Sequence, residues 1–449
     1  MWFAKLGYQI VYIIGFVLSA PYYGLRMWRR GSFLNDFDQR LGLFNSTVSA
    51  RLKNFENTLW IHAVSVGEML QAKVLVEKIR QENPKQDIVI TTTTVTGRKL
   101  GRSLVNERTI LLYNPLDFIF CVKFFYNKVN PRMLVLVEQE LWPNYIWEAS
   151  KRGVPVWVVN ARMSDRSAKR LRKARFFMQH VMGKVSWVGV QSEEEIDRLA
   201  YAGFHRHTLF PVGSLKFEVA ELAHKDEKLN QKIRQTLGWN KKDFILCAGS
   251  THKGEEIEML RIFKRLKQTQ SGKRLKLLIA PRHVERSKEV LKLCTTEGLH
   301  IVKRSEILHN GQNVDVSQRV KQQKPDILLL DKTGELASLY ALADVVFVGK
   351  SLCGKGGQNF LEAIRWGRAV VVGPNMSNFK YTTKLFKDEK ALEQVKDWNE
   401  LEQTLEVWLR QPALAKQTGQ KAKEIFSRET YAAKFTVEGI MATLHHIEV

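Results

Sequence analysis

The residues best placed to do chemistry lie where an apolar strand segment meets a helical one. The H-A-V-S-V-G-E motif at 62–68 ends on Glu68, between a strand predicted over 58–66 and a helix predicted over 69–80. In open α/β sheets, ligands bind outside the carboxyl ends of the strands, where a carboxylate can serve as a general base. A plainer interpretation stays open, because the helix dipole also favours a glutamate in the first turn.

Three further motifs of the amino-terminal half follow strand segments. Glu138 and Glu140 open E-Q-E-L-W-P-N at 138–144, N-A-R lies at 160–162, and G-S-L-K-F at 213–217 carries Lys216. Paired acids after a buried strand suit acid–base work, whereas helix capping and surface solvation explain them equally well. The basic stretch after N-A-R, at 166–175, either binds phosphates of an acidic partner or forms a solvated helix face.

The carboxyl-terminal half repeats this arrangement with residues suited to phosphate. The segments 249–256, 280–283 and 354–362 each join a strand to a helix, and they offer hydroxyls, Arg282 and glycines. Backbone N–H groups at such junctions attract anions. One turn beyond the glycines, Glu362 is placed to accept hydrogen bonds from ribose hydroxyls. A single glycine-rich turn is weak evidence, but three such strand ends on one sheet would converge on one site.

The amino-acid composition of the chain indicates what kind of partner it attracts. The 449 residues include 70 Lys+Arg against 46 Asp+Glu, a net charge of +24. Such a surface attracts nucleic acid, acidic lipid headgroups or phosphorylated substrates. The four cysteines are scattered and form no C-x-x-C pair, which argues against zinc and against a disulfide framework.

The amino terminus indicates a membrane. Lys5 and Arg26 enclose a stretch without charged residues, and its centre, 10–18, is strongly apolar. About 20 uncharged residues can cross a bilayer, and Arg26, Arg29 and Arg30 beyond them favour a cytoplasmic body. A spanning helix, a helix lying in the interface and a buried core helix all fit. A cleaved signal peptide fits poorly, because its positive end should come first.

Strand and helix segments alternate from residue 57 onward. Strands are predicted at 58–66, 87–94, 132–137, 154–160, 187–191, 244–248, 275–280, 326–330, 344–348 and 369–372. Continuous apolar runs of this kind are typical of parallel strands covered on both faces. The pattern predicts two doubly wound α/β domains joined near 215–240, with a cleft between them. The stretch 390–445 is predicted to be helical and to pack back across the junction.

Taken together, these motifs closely resemble those of the 3-deoxy-D-manno-octulosonic acid (Kdo) transferases of Gram-negative lipid A assembly. The segments that carry the resemblance are 62–68, 138–144, 160–162, 213–217, 281–283, 334–336 and 357–362. The resemblance implies an α/β fold of GT-B type, with two doubly wound Rossmann-like domains facing a cleft. The implied parts are a membrane-anchor helix (1–30), an acceptor-binding domain (31–217), a linker (218–240) and a CMP-sugar-binding domain (241–449).

The resemblance also implies a reaction and a set of site residues. The reaction is inverting, metal-independent transfer of Kdo from CMP-Kdo to the tetraacylated lipid A precursor (lipid IVA), on the cytoplasmic face of the inner membrane. Glu68 becomes the general base, and Glu138 and Lys216 take transition-state roles. The expected CMP-binding residues are Pro281, Arg282, Thr333, Gly334, Glu335, Asn359, Phe360, Leu361 and Glu362. Expected partners are CMP-Kdo, the lipid A precursor and anionic inner-membrane lipids, with no cofactor and no nucleic acid.

Two alternatives remain at this point. Another GT-B transferase would use a UDP- or GDP-sugar. A membrane-tethered nucleic-acid-binding protein would also explain the basic charge, although the chain has no helix-turn-helix, zinc-finger or RRM signature. The residues do not set the number or linkage of Kdo groups added, the acyl-chain preference of the acceptor, or the oligomeric state.

Overall fold

The computed structural model describes residues 2–29, 36–223, 226–309, 312–313 and 325–448. Within them the chain forms two compact units. Met1–Val219 with Thr430–Val449 make the N-terminal unit, and Ala220–Glu429 make the C-terminal unit. Each unit contains a parallel seven-stranded sheet, so the predicted α/β class with two doubly wound domains is confirmed. Arg30 and the boundary expected after it lie outside the described residues, and the domain limits expected at 217 and 240 stay predictions.

The N-terminal sheet has the strand order β3-β2-β1-β4-β5-β6-β7. Its strands are β1 (Leu59–His62), β2 (Ile88–Thr92), β3 (Thr109–Tyr113), β4 (Met133–Val137), β5 (Val156–Ala161), β6 (Trp187–Val190) and β7 (Leu209–Pro211). β1 pairs with both β2 and β4, so the winding direction reverses between β1 and β4. This switch point is where a sheet of this kind usually holds its ligand.

The C-terminal sheet has the order β10-β13-β9-β8-β14-β15-β16, and β11 and β12 form a separate two-stranded antiparallel sheet. The strands are β8 (Phe244–Thr251), β9 (Leu275–Pro281), β10 (Ile301–Lys303), β11 (Leu308–His309), β12 (Gln312–Asn313), β13 (Ile327–Leu329), β14 (Val345–Val348), β15 (Ala369–Val372) and β16 (Glu393–Gln394). β8 pairs with β9 and β14, which places the switch point of this sheet between β8 and β14.

Helices follow most strands and cover the sheets. In the N-terminal unit and its exit they are α1 (Trp2–Arg29), α2 (Phe37–Arg40), α3 (Ser46–Lys53), α4 (Val66–Glu82), α5 (Val95–Gly101), α6 (Ile119–Val129), α7 (Pro143–Lys151), α8 (Asp165–Lys173), α9 (Arg175–Met182), α10 (Glu193–Ala202) and α11 (Lys216–Glu221). In the C-terminal unit they are α12 (Glu227–Leu237), α13 (Glu255–Gln268), α14 (Ser287–Thr296), α15 (Arg304–Ile307), α16 (Leu336–Leu339), α17 (Leu361–Ile364), α18 (Lys380–Asp388), α19 (Trp398–Arg410) and α20 (Pro412–Glu429). The last helix is α21 (Ala432–Glu448).

The last helix, α21, belongs to the N-terminal unit although it ends the chain. Val437, Ile440 and Leu444 are buried in the same core cluster as β1 and α4. A Cβ atom at Gly439 would lie 2.7 Å from the Trp157 indole, so glycine lets this helix approach the sheet closely. The helical character predicted for 390–445 is confirmed from residue 398 onward by α19, α20 and α21, whereas Glu393–Gln394 form the strand β16.

The helix α1 rests on the N-terminal unit along one stripe. Lys5 lies over the Trp147 ring, Tyr8 contacts Trp147 and Phe177, and Phe16 contacts Phe118. The opposite face is apolar and exposed, and its exposed side chains include Val11 (68%), Val17 (62%) and Leu18 (76%). The segment Ala4–Tyr22 is long and apolar enough to cross a membrane. Its exposed apolar face argues against a buried core helix.

Candidate active site

Glu68 lies at the switch point of the N-terminal sheet, in the first turn of α4. Ser65 is the N-cap residue, and its side chain accepts a hydrogen bond from the backbone N–H of Glu68. The Glu68 carboxylate reaches back to accept from Ser65 Oγ (2.6 Å) and from the Val64 N–H (2.8 Å). This reciprocal arrangement is a capping box. Two hydrogen bonds therefore orient the carboxylate and leave it further lone pairs.

The electrostatics around Glu68 favour a basic carboxylate. Burial raises the pKa of Glu68, and the nearby Glu138 charge raises it further, against the opposing hydrogen bonds from Ser65 and Val64. Burial, with the charges of Glu68 and Glu138, also raises the pKa of Glu140 to about 7. Three carboxyl groups from two motifs thus interact at the adjacent ends of β1 and β4. A cluster of this kind provides a group that can take up a proton near neutral pH.

Hydrogen bonds link Glu138 to three other strand ends. Gln71 Nε2 donates to Glu138 Oε1 (2.7 Å), and Asn160 Nδ2 donates to Gln71 Oε1 (2.7 Å). Asn160 Oδ1 in turn accepts from Gln191, Ser214 and the Leu215 N–H. This chain connects the motifs 138–144, 160–162 and 213–217. The sequence does not single out Gln71 or Gln191 as site residues, because isolated glutamines form no motif.

Two members of this chain have a left-handed backbone. Glu138 has a φ of 62° and Asn160 a φ of 55°. Residues with a side chain adopt this region at a cost, and such strain collects at functional sites. Arg162 adds an ion pair to Glu138, with Nη2 3.3 Å from Oε2. The bonds on both sides therefore fix the Glu138 carboxylate.

Lys216 begins α11 and is electrostatically coupled to Glu138 and Arg162. Burial, with a smaller contribution from the Arg162 charge, lowers the pKa of Lys216 to about 7 against the opposing Glu138 charge. The structure thus brings together Glu68, Glu138 and Lys216, all three predicted catalytic residues. His62 of the same motif is different. It is fully buried, its pKa falls to about 3 because of that burial, and its Nδ1 pairs with Thr91 Oγ1.

The basic helix α8 keeps its cations in solvent. Arg166, Lys169, Arg170, Arg172 and Lys173 are all exposed. Arg172 lies over the Tyr201 ring, 4.2 Å from its centroid. The exposure is compatible with either earlier interpretation, a solvated face or an anion-binding one.

In the C-terminal unit, Arg282 and Glu362 lie near each other. Arg282 directly follows β9, is exposed, and donates its backbone N–H to the Thr251 carbonyl (2.9 Å). Burial raises the pKa of Glu362, and the charges of Arg365 and Arg282, with a hydrogen bond from Asn359, oppose the shift. The Asn359 amide donates to Glu362 Oε1 (3.0 Å). These three predicted CMP-binding residues therefore form one group.

The glycine-rich loop differs from the expected helix start. α17 has four residues, which is too short for a strong helix dipole. Asn359 Oδ1 already accepts the Leu361 N–H (3.2 Å), and the side chains of Phe360 and Leu361 are fully buried in the core. Positive φ values at Gly354 (139°), Gly356 (99°) and Gly357 (69°) give the loop its shape. An anion here would rely on the loop's backbone N–H groups.

Two carboxylates organise the neighbouring loops. Glu255 is fully buried and accepts the N–H groups of His252 (2.9 Å), Lys350 (2.8 Å) and Cys353 (3.2 Å). It therefore occupies one N–H group of the anion cradle expected at 249–256. Glu335 is paired with Arg304, whose Nε lies 2.8 Å from Oε2. Thr333 and Gly334 beside it are exposed, so that turn is accessible to a ligand.

Among the described residues, no group of three or more His, Cys, Asp or Glu side chains is arranged to bind a metal ion. The expectation of a metal-independent reaction stays a prediction.

Solved structures share this architecture at low sequence identity. A UDP-GlcNAc 2-epimerase from Neisseria meningitidis matches with a TM-score of 0.58 and 10% identity, over 86% of this chain and 100% of that one. A glycosyltransferase from Rickettsia africae matches with a TM-score of 0.56 and 10% identity, over 87% and 98% of the two chains. At such identities the likeness concerns the fold alone, which is the GT-B-like, two-domain α/β class.

Sequence comparison then gives the family. Residues 35–219 match the model of the 3-deoxy-D-manno-octulosonic-acid transferase family. The 3-deoxy-D-manno-octulosonic acid transferase of Haemophilus influenzae is 30% identical over 368 residues, which cover 82% of each chain. The transferase of the same name from Bordetella pertussis is also 30% identical, over 82% of this chain and 84% of its own. The chain belongs to the Kdo transferase family and is a glycosyltransferase, as the motifs predicted.

Proposed function

We propose that this enzyme transfers Kdo from CMP-Kdo to the tetraacylated lipid A precursor, lipid IVA, with inversion at the anomeric carbon. The observation that carries the proposal is the buried Glu68 carboxyl at the β1–β4 switch point, whose pKa is raised by burial and by Glu138. Membership of the Kdo transferase family supports the sugar. The +24 net charge suits an anionic donor and a phosphorylated acceptor.

Glu68 acts as general base in this scheme. Its carboxylate takes the proton of an acceptor hydroxyl while the hydroxyl oxygen forms a bond to the anomeric carbon of Kdo. The bond from that carbon to the CMP phosphate breaks, and CMP leaves with the electron pair. Attack from the face opposite CMP inverts the configuration through an oxocarbenium-like transition state, by analogy with glycoside hydrolysis. Since CMP is a good leaving group, the scheme includes no metal.

Glu138 and Lys216 support the transition state. Glu138 is held by Gln71 and Arg162, so it presents a fixed negative charge to a developing oxocarbenium ion. The Lys216 cation favours the departing phosphate. Preoriented charges of this kind stabilise a transition state without reorganising during the reaction.

The C-terminal unit binds the donor in this proposal. Arg282 contacts the phosphate as a planar cation. Glu362, oriented by Asn359, accepts hydrogen bonds from ribose hydroxyls, and the backbone of the 333–335 turn completes the CMP site. The buried side chains of Phe360 and Leu361 restrict those two residues to backbone contacts.

We assign the enzyme to the cytoplasmic face of the inner membrane, attached by an α1 helix that lies in the interface. The contacts from Lys5 to Phe16 run along the N-terminal unit, and a spanning helix would carry those partners into the bilayer. The exposed apolar face of α1 is free to enter the lipid boundary, as interfacial helices do. Attachment brings the enzyme to an acceptor that stays in the membrane.

Incubation of the purified enzyme with CMP-Kdo and lipid IVA tests the proposal. The mass of the lipid product should rise by one Kdo residue or a small multiple, which also counts the sugars added. Thermal stabilisation by CMP, UDP, GDP and an oligonucleotide provides the companion measurement, in which CMP should stabilise most. An unchanged lipid mass, together with stronger stabilisation by UDP, GDP or the oligonucleotide, would refute the proposal.

A further inference from the structure

The start of α7 lacks a cap of its own. Its N-cap residue is Trp142, which makes no side-chain capping bond, and Pro143 occupies the first turn. The first N–H groups of a helix need acceptors when they are buried. Here the acceptor is Asp117, whose Oδ2 takes the Asn144 N–H (3.3 Å) and which also accepts from the backbone of Tyr145. α7 therefore depends on a carboxylate 27 residues earlier in the chain.

That carboxylate is held in turn by α1. Tyr8 donates its hydroxyl hydrogen to Asp117 Oδ2 (2.6 Å), and the Asp117 N–H donates to the Tyr12 hydroxyl (3.1 Å). A second connection bypasses the carboxylate, because Gln9 Nε2 donates to Asn144 Oδ1 (2.7 Å). Asn144 and Asp117 are each only 1% exposed. Buried polar groups with such partners are costly to leave unpaired.

α7 begins where the E-Q-E-L-W-P-N loop ends. Glu138 and Glu140 precede the first residue of α7 by five and three positions, and Glu140 accepts the Trp142 indole N–H (2.9 Å). The position of the α7 start therefore sets where this short loop ends. A displacement of about 1 Å at a reacting group can cost a hundredfold in rate.

We propose that Tyr8 and Gln9 of α1 are positioning residues for transfer, which hold the 138–144 loop through Asp117 and Asn144. The proposal rests on the function proposed above, in which Glu138 acts at the reacting centre. It gives α1 a role beyond membrane attachment, because the same helix also holds the 138–144 loop in position. An anchor with no other role would be replaceable by any apolar helix.

The test uses the full chain with the substitutions Tyr8→Phe and Gln9→Leu combined. Both keep the side-chain size and leave the exposed apolar face unchanged. The matched control combines Tyr201→Phe and Gln81→Leu, two exposed positions of the same unit. Transfer is assayed with lipid IVA dispersed in detergent, so that attachment to a bilayer does not limit the rate. CMP binding and vesicle flotation are measured beside it.

The double variant should lose about tenfold or more in kcat, with the KM for CMP-Kdo, the CMP affinity and flotation unchanged. The control pair should match the parent enzyme. An unchanged kcat would overturn the proposal. A parallel loss of CMP binding would indicate that the double variant is misfolded, and Gln9→Leu alone then decides, because it keeps the Tyr8–Asp117 bond; an unchanged kcat in that variant would overturn the proposal. A parent enzyme without transfer activity would instead refute the proposed function.

Discussion

Ser65 and Glu68 cap each other at the first turn of α4: the Ser65 hydroxyl accepts the Glu68 N–H and donates to the Glu68 carboxylate. Glu68 therefore does have a structural role at the start of the helix. It does not exclude the proposed base, because a carboxylate has about four lone-pair positions. The cap instead fixes the orientation of a buried carboxyl beside Glu138. A substitution that keeps the capping acceptor but cannot take up a proton therefore separates the structural role of Glu68 from its proposed catalytic role.

Glu68→Gln should separate them. The amide oxygen preserves an acceptor for the cap but cannot take up a proton, so transfer should fall by about 10²- to 10⁴-fold, the usual contribution of a general base. CMP affinity should stay at the parent value. Transfer rates and calorimetric CMP titration are the measurements, with Glu77→Gln further along α4 as the control. Near-normal turnover of Glu68→Gln would rule this residue out as the base.

Lys216 should impose a falling limb on the pH profile. Its pKa is lowered to about 7, chiefly by burial. The cation is present below that pKa and lost above it, so kcat/KM should decline as pH rises through about 7.

Lys216→Arg provides the check on that assignment. Arginine stays cationic throughout, so the falling limb should disappear, with a lower rate at acidic pH because the guanidinium differs in shape. The profile of kcat/KM against pH is compared with that of Lys85→Arg, an exposed control. A falling limb that persists unchanged in Lys216→Arg would assign it to another group.

Arg282→Ala should weaken donor binding. Loss of a charge-assisted hydrogen bond to phosphate costs about 1.5–3 kcal/mol, so the Kd for CMP should rise by roughly 10- to 100-fold. Arg274→Ala is the matched control, because Arg274 is exposed just before β9, at the other end of the same strand. Calorimetric titration with CMP measures both. Equal affinities in the two variants would remove Arg282 from the phosphate site.

The sequence predicted the central strands of both sheets and their carboxyl-end motifs. The pattern missed β3, β7, β10, β11, β12 and β16, and all of these except β3 are no more than three residues long. Strands of that length become regular only through pairing with a neighbour. The sequence also predicted that Glu68, Glu138 and Lys216 follow strand ends, and the structure brings the three residues together because the carboxyl ends of neighbouring parallel strands lie at one edge of the sheet.

Other features depend on contacts far apart in the chain. The pairing of Arg304 with Glu335 joins residues 31 positions apart, and Asp117 caps a helix that begins 26 positions later. Asp117 belongs to no local motif, and the 334–336 motif that contains Glu335 gives no sign of its pairing with Arg304. Nothing in the sequence indicates that α17 has only four residues, because the residues after 361–364 could continue the helix.

Membrane attachment should depend on the exposed face of α1. Val11→Asp combined with Leu18→Asp places two charges on side chains that are 68% and 76% exposed, and these charges oppose insertion into the lipid boundary. The variant should lose flotation with anionic vesicles while it keeps its affinity for CMP. Val407→Asp with Leu414→Asp, on exposed apolar positions of the C-terminal unit, should still float. Undiminished flotation of the α1 variant would show that the basic surface suffices.

Asn160 allows backbone and side-chain contributions to be measured apart. Its φ of 55° suits glycine, whereas alanine there costs about 1–2 kcal/mol. Both Asn160→Gly and Asn160→Ala remove the amide that links Gln71 to Ser214 and Gln191, so both should lose transfer to a similar extent. Only the alanine variant should show the additional loss in free energy of unfolding.

Asn130, with a φ of 45° at the end of α6, is the matched control for Asn160. Its glycine and alanine variants should reproduce the stability difference and keep full activity. Full activity in Asn160→Gly would show that the hydrogen-bonded chain behind Glu138 is unnecessary for transfer.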